Sequence, residues 1–390
     1  MTTHRLLPWI LGLVAGALLQ PAVAQARLKH TVSLYGGADT WFRPKVGFHG
    51  IAQVAYDLEG LPASSHFGAE FNTDTLRVEF DRIRFAGGYL EAGARLTAEF
   101  FLAGVLSDYY RQGGKDSARG FNASYGALEA HLKLQLPRNH SLELAAGGRR
   151  WFFSATKSTA SHFDLPPEAW VFEGRLRYTL WALRSDASLS ERHRKFPRIR
   201  GLAFGVELGL DVRDDARAWG ARDPDAFDPV DPRNRPGRTI LLLRQWLRVG
   251  WQLHHRVRTQ LSQHFAWGRN EDDLTRARIG GLNPYVVPLA GAAWPAFLSE
   301  RFFAVQWSWH LRIWRELELG VLADAVILED VDRVGASRDF DLLAGVGVFA
   351  DLRFGAWQVD LRAGWSPSLR WQGETGHFSL YLGLGWRWKS

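Results

Sequence analysis

The segment HFSLYLGLGWRW, residues 377–388, carries a histidine and a serine two positions apart, His377 and Ser379. On an extended strand that spacing puts both side chains on one face, where an imidazole can take the proton of a serine hydroxyl as it attacks an ester. A pair that attacks lipid needs the apolar face, which here belongs to Phe378, Leu380, Leu382, Leu384, Trp386 and Trp388. His377 and Ser379 share theirs with Gly383, Gly385 and Arg387 and are read as a polar, inward-looking pair. His140 and Ser141 are adjacent, hence on opposite faces of a strand, and His254 and His255 cannot ligate one ion from one face for the same reason. The run SERHRK, 190–195, is a solvated surface charge cluster. DPDAFDPVDPRN, 223–234, has carboxylates in plenty but lacks the glycine-centred spacing of a calcium loop. No catalytic, cofactor-binding or metal site is expected, and the chain is read as non-enzymatic.

The elements that carry these residues are strands. Leu342, Ala344, Val346, Val348, Ala350, Leu352 and Phe354 alternate with Gly345, Gly347, Asp351 and Arg353. After a tight turn at Gly355, Trp357, Val359, Leu361, Ala363 and Trp365 alternate with Gln358, Asp360, Arg362 and Gly364, which makes a hairpin. The same period runs through 46–58, 75–84, 90–102, 123–136, 140–153, 169–182, 201–213, 241–252, 257–267, 303–313 and 317–327. Such segments are longer than the mode of about 5–6 residues in soluble sheets and near what a tilted membrane strand needs. Short connections at Pro137–Asn139, Arg315 and Gly355 alternate with long polar ones at 104–120, 154–167, 184–200, 214–238 and 269–299. An up-and-down transmembrane barrel of about 16 strands, with 14 as the alternative, has that rhythm.

Bulk properties agree. The chain has 390 residues, 46% hydrophobic, with 18 Trp, 24 Phe and no Cys. Mean hydropathy of -0.19 excludes a bundle of membrane helices. A net charge of +7 is spread along the strands without clustering, so no nucleic-acid partner is expected. Arg5, an apolar stretch from Leu6 to Leu19 and Ala22-Val23-Ala24 read as a secretory signal over 1–24, leaving a barrel over 25–390 in a Gram-negative outer membrane. Inward charges such as Arg175, Arg177, Arg244, Arg248, Arg256, Arg258, Arg312, Arg353 and Arg362 alternate with Glu173, Glu207, Asp211, Glu316, Glu318 and Asp360. They are read as a salt-bridge ladder, with an anion-attracting pore as the alternative.

The last third resembles the barrel of the bacterial surface-antigen superfamily, the BamA/TamA-type assembly and translocation barrels. Three stretches carry the likeness: RIGGLNPYVVPLAGAAWPAFLSERFFAVQWSWHLRI (278–313), ELELGVLADAVIL (316–328) and GVGVFADLRFGAWQVDLRAGW (345–365). The resemblance implies a loop that starts at Gly280-Gly281, folds back into the lumen and is held by an inward aspartate, matched here by Asp324. At the loop tip this sequence reads Leu289-Ala290-Gly291, with Gly291 kept and the family's arginine missing. A buried carboxylate needs a partner, and Arg312 on the preceding strand is the expected one.

Strands begin soon after the signal, which leaves no room for periplasmic POTRA repeats. The favoured role is a non-enzymatic membrane module, either an assembly- or translocation-type barrel that has lost its periplasmic repeats or one that works with a separate periplasmic partner. A passive porin-like channel and a lipid hydrolase are the alternatives. Expected contacts are outer-membrane lipid, through the interface aromatics Trp357, Trp365, Trp386 and Trp388, and the barrel-assembly machinery during insertion.

Overall fold

An alternating sheet can bury one face by curling on itself, and this one closes. A computed structural model describes residues 28–390 apart from 43–46, 62–64, 74, 100–109, 112–113, 116–119, 158, 186–198, 222–235, 283–286, 293–296, 330–339 and 372–373. The predicted signal over 1–24 and the two motifs at 190–195 and 223–234 lie outside these residues.

The barrel strands are β1 (Lys29–Trp41), β2 (Gly47–Glu59), β3 (His66–Asn72), β4 (Thr75–Phe85), β5 (Leu90–Glu99), β6 (Phe121–Leu136), β7 (His140–Ala155) and β8 (Trp170–Ser185). The second half comprises β9 (Ile199–Arg213), β10 (Thr239–His254), β11 (Val257–Arg269), β12 (Arg301–Arg312), β13 (Leu317–Glu329), β14 (Phe340–Phe354), β15 (Trp357–Trp371) and β16 (Glu374–Lys389). Each is antiparallel to the next, and β16 returns to β1 from Thr31↔Lys389 to Trp41↔Ser379, so the sheet has no free edge. The structure therefore has 16 strands in one closed barrel. No described helix is long and apolar enough to cross a membrane, and the crossing elements are the strands.

Two strands escape the sequence period, each for a physical reason. β1 mixes sizes on both faces through Gly36, Gly37 and Ala38, and β3 has only seven residues, HFGAEFN. Arg256 and Glu316, expected inside, lie exposed in turns.

Outward positions are apolar and exposed, as with Leu128 at 60%, Leu382 at 52% and Val348 at 55%, a pattern water does not tolerate over a whole barrel but lipid does. Trp357 stands opposite Trp386, with Trp388 beside them, near the end that holds the termini. Trp365 stands opposite Phe378 on the same hairpin, eight positions along β15. At ~3.4 Å per residue and a tilt of about 40°, that separation is roughly 20 Å along the barrel axis, close to the height of a barrel's apolar band.

Candidate functional site

Inside the barrel, carboxylates and guanidinium groups meet across strands. On β8, Arg177 donates to Glu207 (2.6 Å), to Glu143 (2.7 Å) and to Glu129 (3.3 Å), spanning β6 to β9. Arg95 carries the chain of pairs on to Glu129 (3.0 Å) and Glu79 (3.5 Å). Arg175 joins Asp211, and Arg149 joins Glu173. At the terminal end of the lumen, His66 lies between Asp57 (Nε2, 3.0 Å) and Asp81 (Nδ1, 2.8 Å). His66, Glu79 and Asp81 place ligand atoms within 4.8 Å of one another. Both ring nitrogens already meet carboxylates, and Arg77 and Arg95 each approach Glu79 at 3.5 Å, an arrangement that neutralises charge without an ion.

The other half of the lumen is built differently. The strand segment VLADAVIL, 321–328, is apolar on both faces apart from Asp324, which means that something covers its inner face. The cover is the connection between β11 and β12. Short strands Ala277–Ile279 and Phe297–Ser299 pair with each other, and Gly280 and Gly281, at φ 127° and 78°, turn the chain into the lumen. Backbone bonds from Gly280 N to Val287 O (3.0 Å) and from Leu289 N to Gly281 O (3.1 Å) close the loop on itself. Ile279, Leu289 and Ala292 then pack on Ala266, Phe302, Ala304, Val326, Leu328, Leu343 and Leu369.

The loop tip is pinned through its backbone. Ala290 N–H donates to Asp324 Oδ2 (2.9 Å), Gly291 N–H to Ser379 Oγ (3.1 Å) and Leu282 N–H to Asp39 Oδ1 (3.3 Å). Gln306 Nε2 donates to the other Asp324 oxygen at 2.7 Å, so the carboxylate is satisfied by an amide side chain and a peptide group. Arg312 is not that partner: it stands opposite Glu318 at the foot of β12, six positions from Gln306, which stands opposite Asp324. A neutral amide and a peptide N–H take the place of the missing arginine.

Glycines make the seat flat. A Cβ at Gly364 would lie 2.8 Å from Ala290 Cβ and 2.8 Å from Gly291 N, so only glycine lets the loop tip lie against β15. Gly291 itself has φ 84°, and a Cβ there would lie 2.6 Å from His377 O. Sequence reasoning picked out Gly280, Gly281, Gly291 and Asp324, which the fold gathers in this loop and its seat, but it missed Asp39, Gln306 and the role of Ser379. The readable signal was the doubly apolar run around Asp324.

At the barrel mouth the same connection is locked by charge. Asp272 accepts two bonds from Arg213 (2.7 and 2.9 Å) and one from Trp219 Nε1 (3.0 Å). Burial alone would raise the Asp272 carboxyl, but the Arg213 charge and these bonds prevail and hold it at about 2. Next to it, burial, helped by the Glu300 carboxylate, pushes Glu271 up to about 8 against the pull of Arg244 and Arg276.

The two groups act oppositely. Stability from Asp272 is present above the unfolded pKa of 3.8 and is lost as pH falls toward 2. Stability linked to the raised Glu271 is fully present below 4.5 and is lost as pH rises through about 8. Hydrogen exchange at the amides of 271–276 is therefore expected to quicken between pH 6 and pH 9 beyond the intrinsic rate change. Glu271→Gln, neutral at every pH, should flatten that dependence; equal slopes in both proteins would refute it.

No protein-family profile matches the sequence, and no curated protein matches it. Among solved structures, BamA from Haemophilus ducreyi lacking POTRA domains 1–3 superimposes with a TM-score of 0.62 at 10% identity, over 91% of this chain and 70% of that one. CdiB from Escherichia coli gives 0.59 at 10% identity, over 94% and 64%, and CdiB from Acinetobacter baumannii gives 0.52 at 8%, over 94% and 61%. The barrel therefore has the fold of BamA and CdiB. The chain spans between about three fifths and seven tenths of the length of those three structures.

Proposed function

We propose that this chain is an integral β-barrel of a Gram-negative outer membrane, a membrane module of assembly or translocation type that works beside a separate periplasmic partner. The observation that carries this reading is the connection between β11 and β12, folded into the lumen and held by Asp324, Ser379 and Asp39. A passive channel keeps its bore open, whereas here a pinned segment covers the inner wall of β11 to β15. The fold shared with BamA and CdiB supports the same reading. Trp357, Trp386 and Trp388 mark the periplasmic interface and Trp365 the outer one, with lipid between them. The barrel-assembly machinery inserts the chain.

Two measurements on the full chain folded into liposomes or planar bilayers test this. The barrel should pass no steady current at ±50 mV, a value chosen as roughly the size of a resting potential. Liposomes that contain it should insert a urea-unfolded outer-membrane barrel faster than empty ones. Steady open currents would turn the reading to a passive channel, and unchanged insertion would remove the assembly role.

A further inference from the structure

One group of lumen residues does not behave as a ladder. Ser308 and His310 share the inward face of β12, and Glu318 begins the inward face of β13. Ser308 Oγ lies 2.9 Å from His310 Nε2, and His310 Nδ1 lies 2.5 Å from Glu318 Oε1. An ionised carboxylate only accepts, so the ring proton sits on Nδ1 and the lone pair of Nε2 faces the serine hydroxyl. That is the tautomer a general base needs. His66 elsewhere in the lumen lies between two carboxylates; here an imidazole lies between a carboxylate and a hydroxyl.

The surroundings fix the relay. Glu318 is 1% exposed and is gripped by Arg258 as well. The ring of His310 rests edge-on against Phe349, with centroids 4.7 Å apart, and Phe349 fills the space that the missing side chain of Gly320, opposite His310, leaves. Gln260 Nε2 lies 2.9 Å from His310 Nε2, so its amide donates to the same ring nitrogen that the serine hydroxyl faces. Leu322, the cross-strand neighbour of Ser308, belongs to an apolar cluster with Phe349, Leu282, Ala290, Ile51 and Tyr381.

We propose that Ser308, His310 and Glu318 form a hydrolytic triad in the barrel lumen, acting on a carboxylic ester whose acyl part is apolar. Ser308 Oγ bonds to the ester carbonyl carbon while its proton passes to His310 Nε2, and the carbonyl electron pair moves to oxygen. The pair returns, the bond to the alcohol oxygen breaks, and the alcohol leaves with the proton from Nε2. Water repeats the addition on the acyl-serine and releases the carboxylic acid, so ester and water become acid and alcohol. Glu318 acts through the ring and is a positioning residue. The activity goes beyond the assembly reading and stands without it.

The test uses the full chain folded in detergent, with heat-modifiable migration on gels as the check of fold. A fluorophosphonate probe should label the peptide that contains Ser308, and p-nitrophenyl butyrate should be hydrolysed. Ser308→Ala should abolish both. It removes one half-buried hydroxyl and leaves the barrel intact. His310→Gln should slow labelling by about 10²-fold or more. Glu318→Asp should retain part of the rate, with a pH profile like the wild type, and Glu318→Gln should lose the neutral-pH limb. A folded wild-type protein that takes no label at Ser308, or equal hydrolysis by wild type and Ser308→Ala, overturns the proposal.

Discussion

Arg177→Leu is expected to lower barrel stability by about 3–5 kcal/mol, the cost of removing one partner from a buried charge network. Arg177 is the only cation described in contact with Glu143, and it also meets Glu129 and Glu207, so its loss strips Glu143 of its described cation and leaves Glu129 to Arg95 and Glu207 to Arg175. Coulomb repulsion among the three carboxylates acts in a lumen whose walls screen poorly. The half-buried guanidinium, 25% exposed, places the effect toward the lower end of that range. Urea unfolding in lipid vesicles measures it, and a second substitution separates the charge effect from lost packing. Arg177→Lys keeps the charge but cannot address three carboxylates at fixed angles, so it should recover only part of the loss. Equal stability of wild type and Arg177→Leu would show that water, not the guanidinium, solvates the three acids.

How far the sequence shows this architecture depends on which face of each strand is asked about. Outward residues had to be apolar everywhere, so strands such as β14 and β15 are legible from alternation alone. Inward residues answer to two different neighbours. Over β4 to β9 they meet one another and are charged, and the sequence shows this in Arg175, Arg177 and Glu207. Over β11 to β15 they meet the loop and several turn apolar, as with Phe302, Val326 and Leu343, so the strands are legible there but what lies against their inner face is not.

Partnerships are less legible than faces. Asp324 was marked by the resemblance of its strand to the surface-antigen barrels, yet Gln306 and the Ala290 peptide group could be named only once β12 was set in register beside β13. His377 and Ser379, read as an inward polar pair, are buried in the lumen, where Ser379 receives the loop, while the contacts of Ser308 and His310 with Glu318 could be named only from the strand register.

The loop seat gives the other large effect. Asp324→Ala leaves Ala290 N–H without its acceptor and Gln306 without its carboxylate, two bonds to a charged group at about 1.5–3 kcal/mol each. A loss of about 3 kcal/mol multiplies the population of unseated loop by roughly two orders of magnitude. Gly364→Val reaches the same state by exclusion, since even its Cβ would stand 2.8 Å from Ala290 Cβ and the branched methyl groups need more room. Both variants should pass steady single-channel current where the wild type is quiet, and both should keep the heat-modifiable migration of a folded barrel, because neither residue contacts the lipid face. Asp324→Asn separates the two causes: it still offers an oxygen to one of the two donors and should conduct far less than Asp324→Ala, whereas no polar substitution at Gly364 restores the seat. If Asp324→Ala stays as quiet as wild type while Gly364→Val conducts, the apolar contacts of Ile279, Leu289 and Ala292 hold the loop by themselves, and the buried aspartate serves the register of β12 on β13 instead.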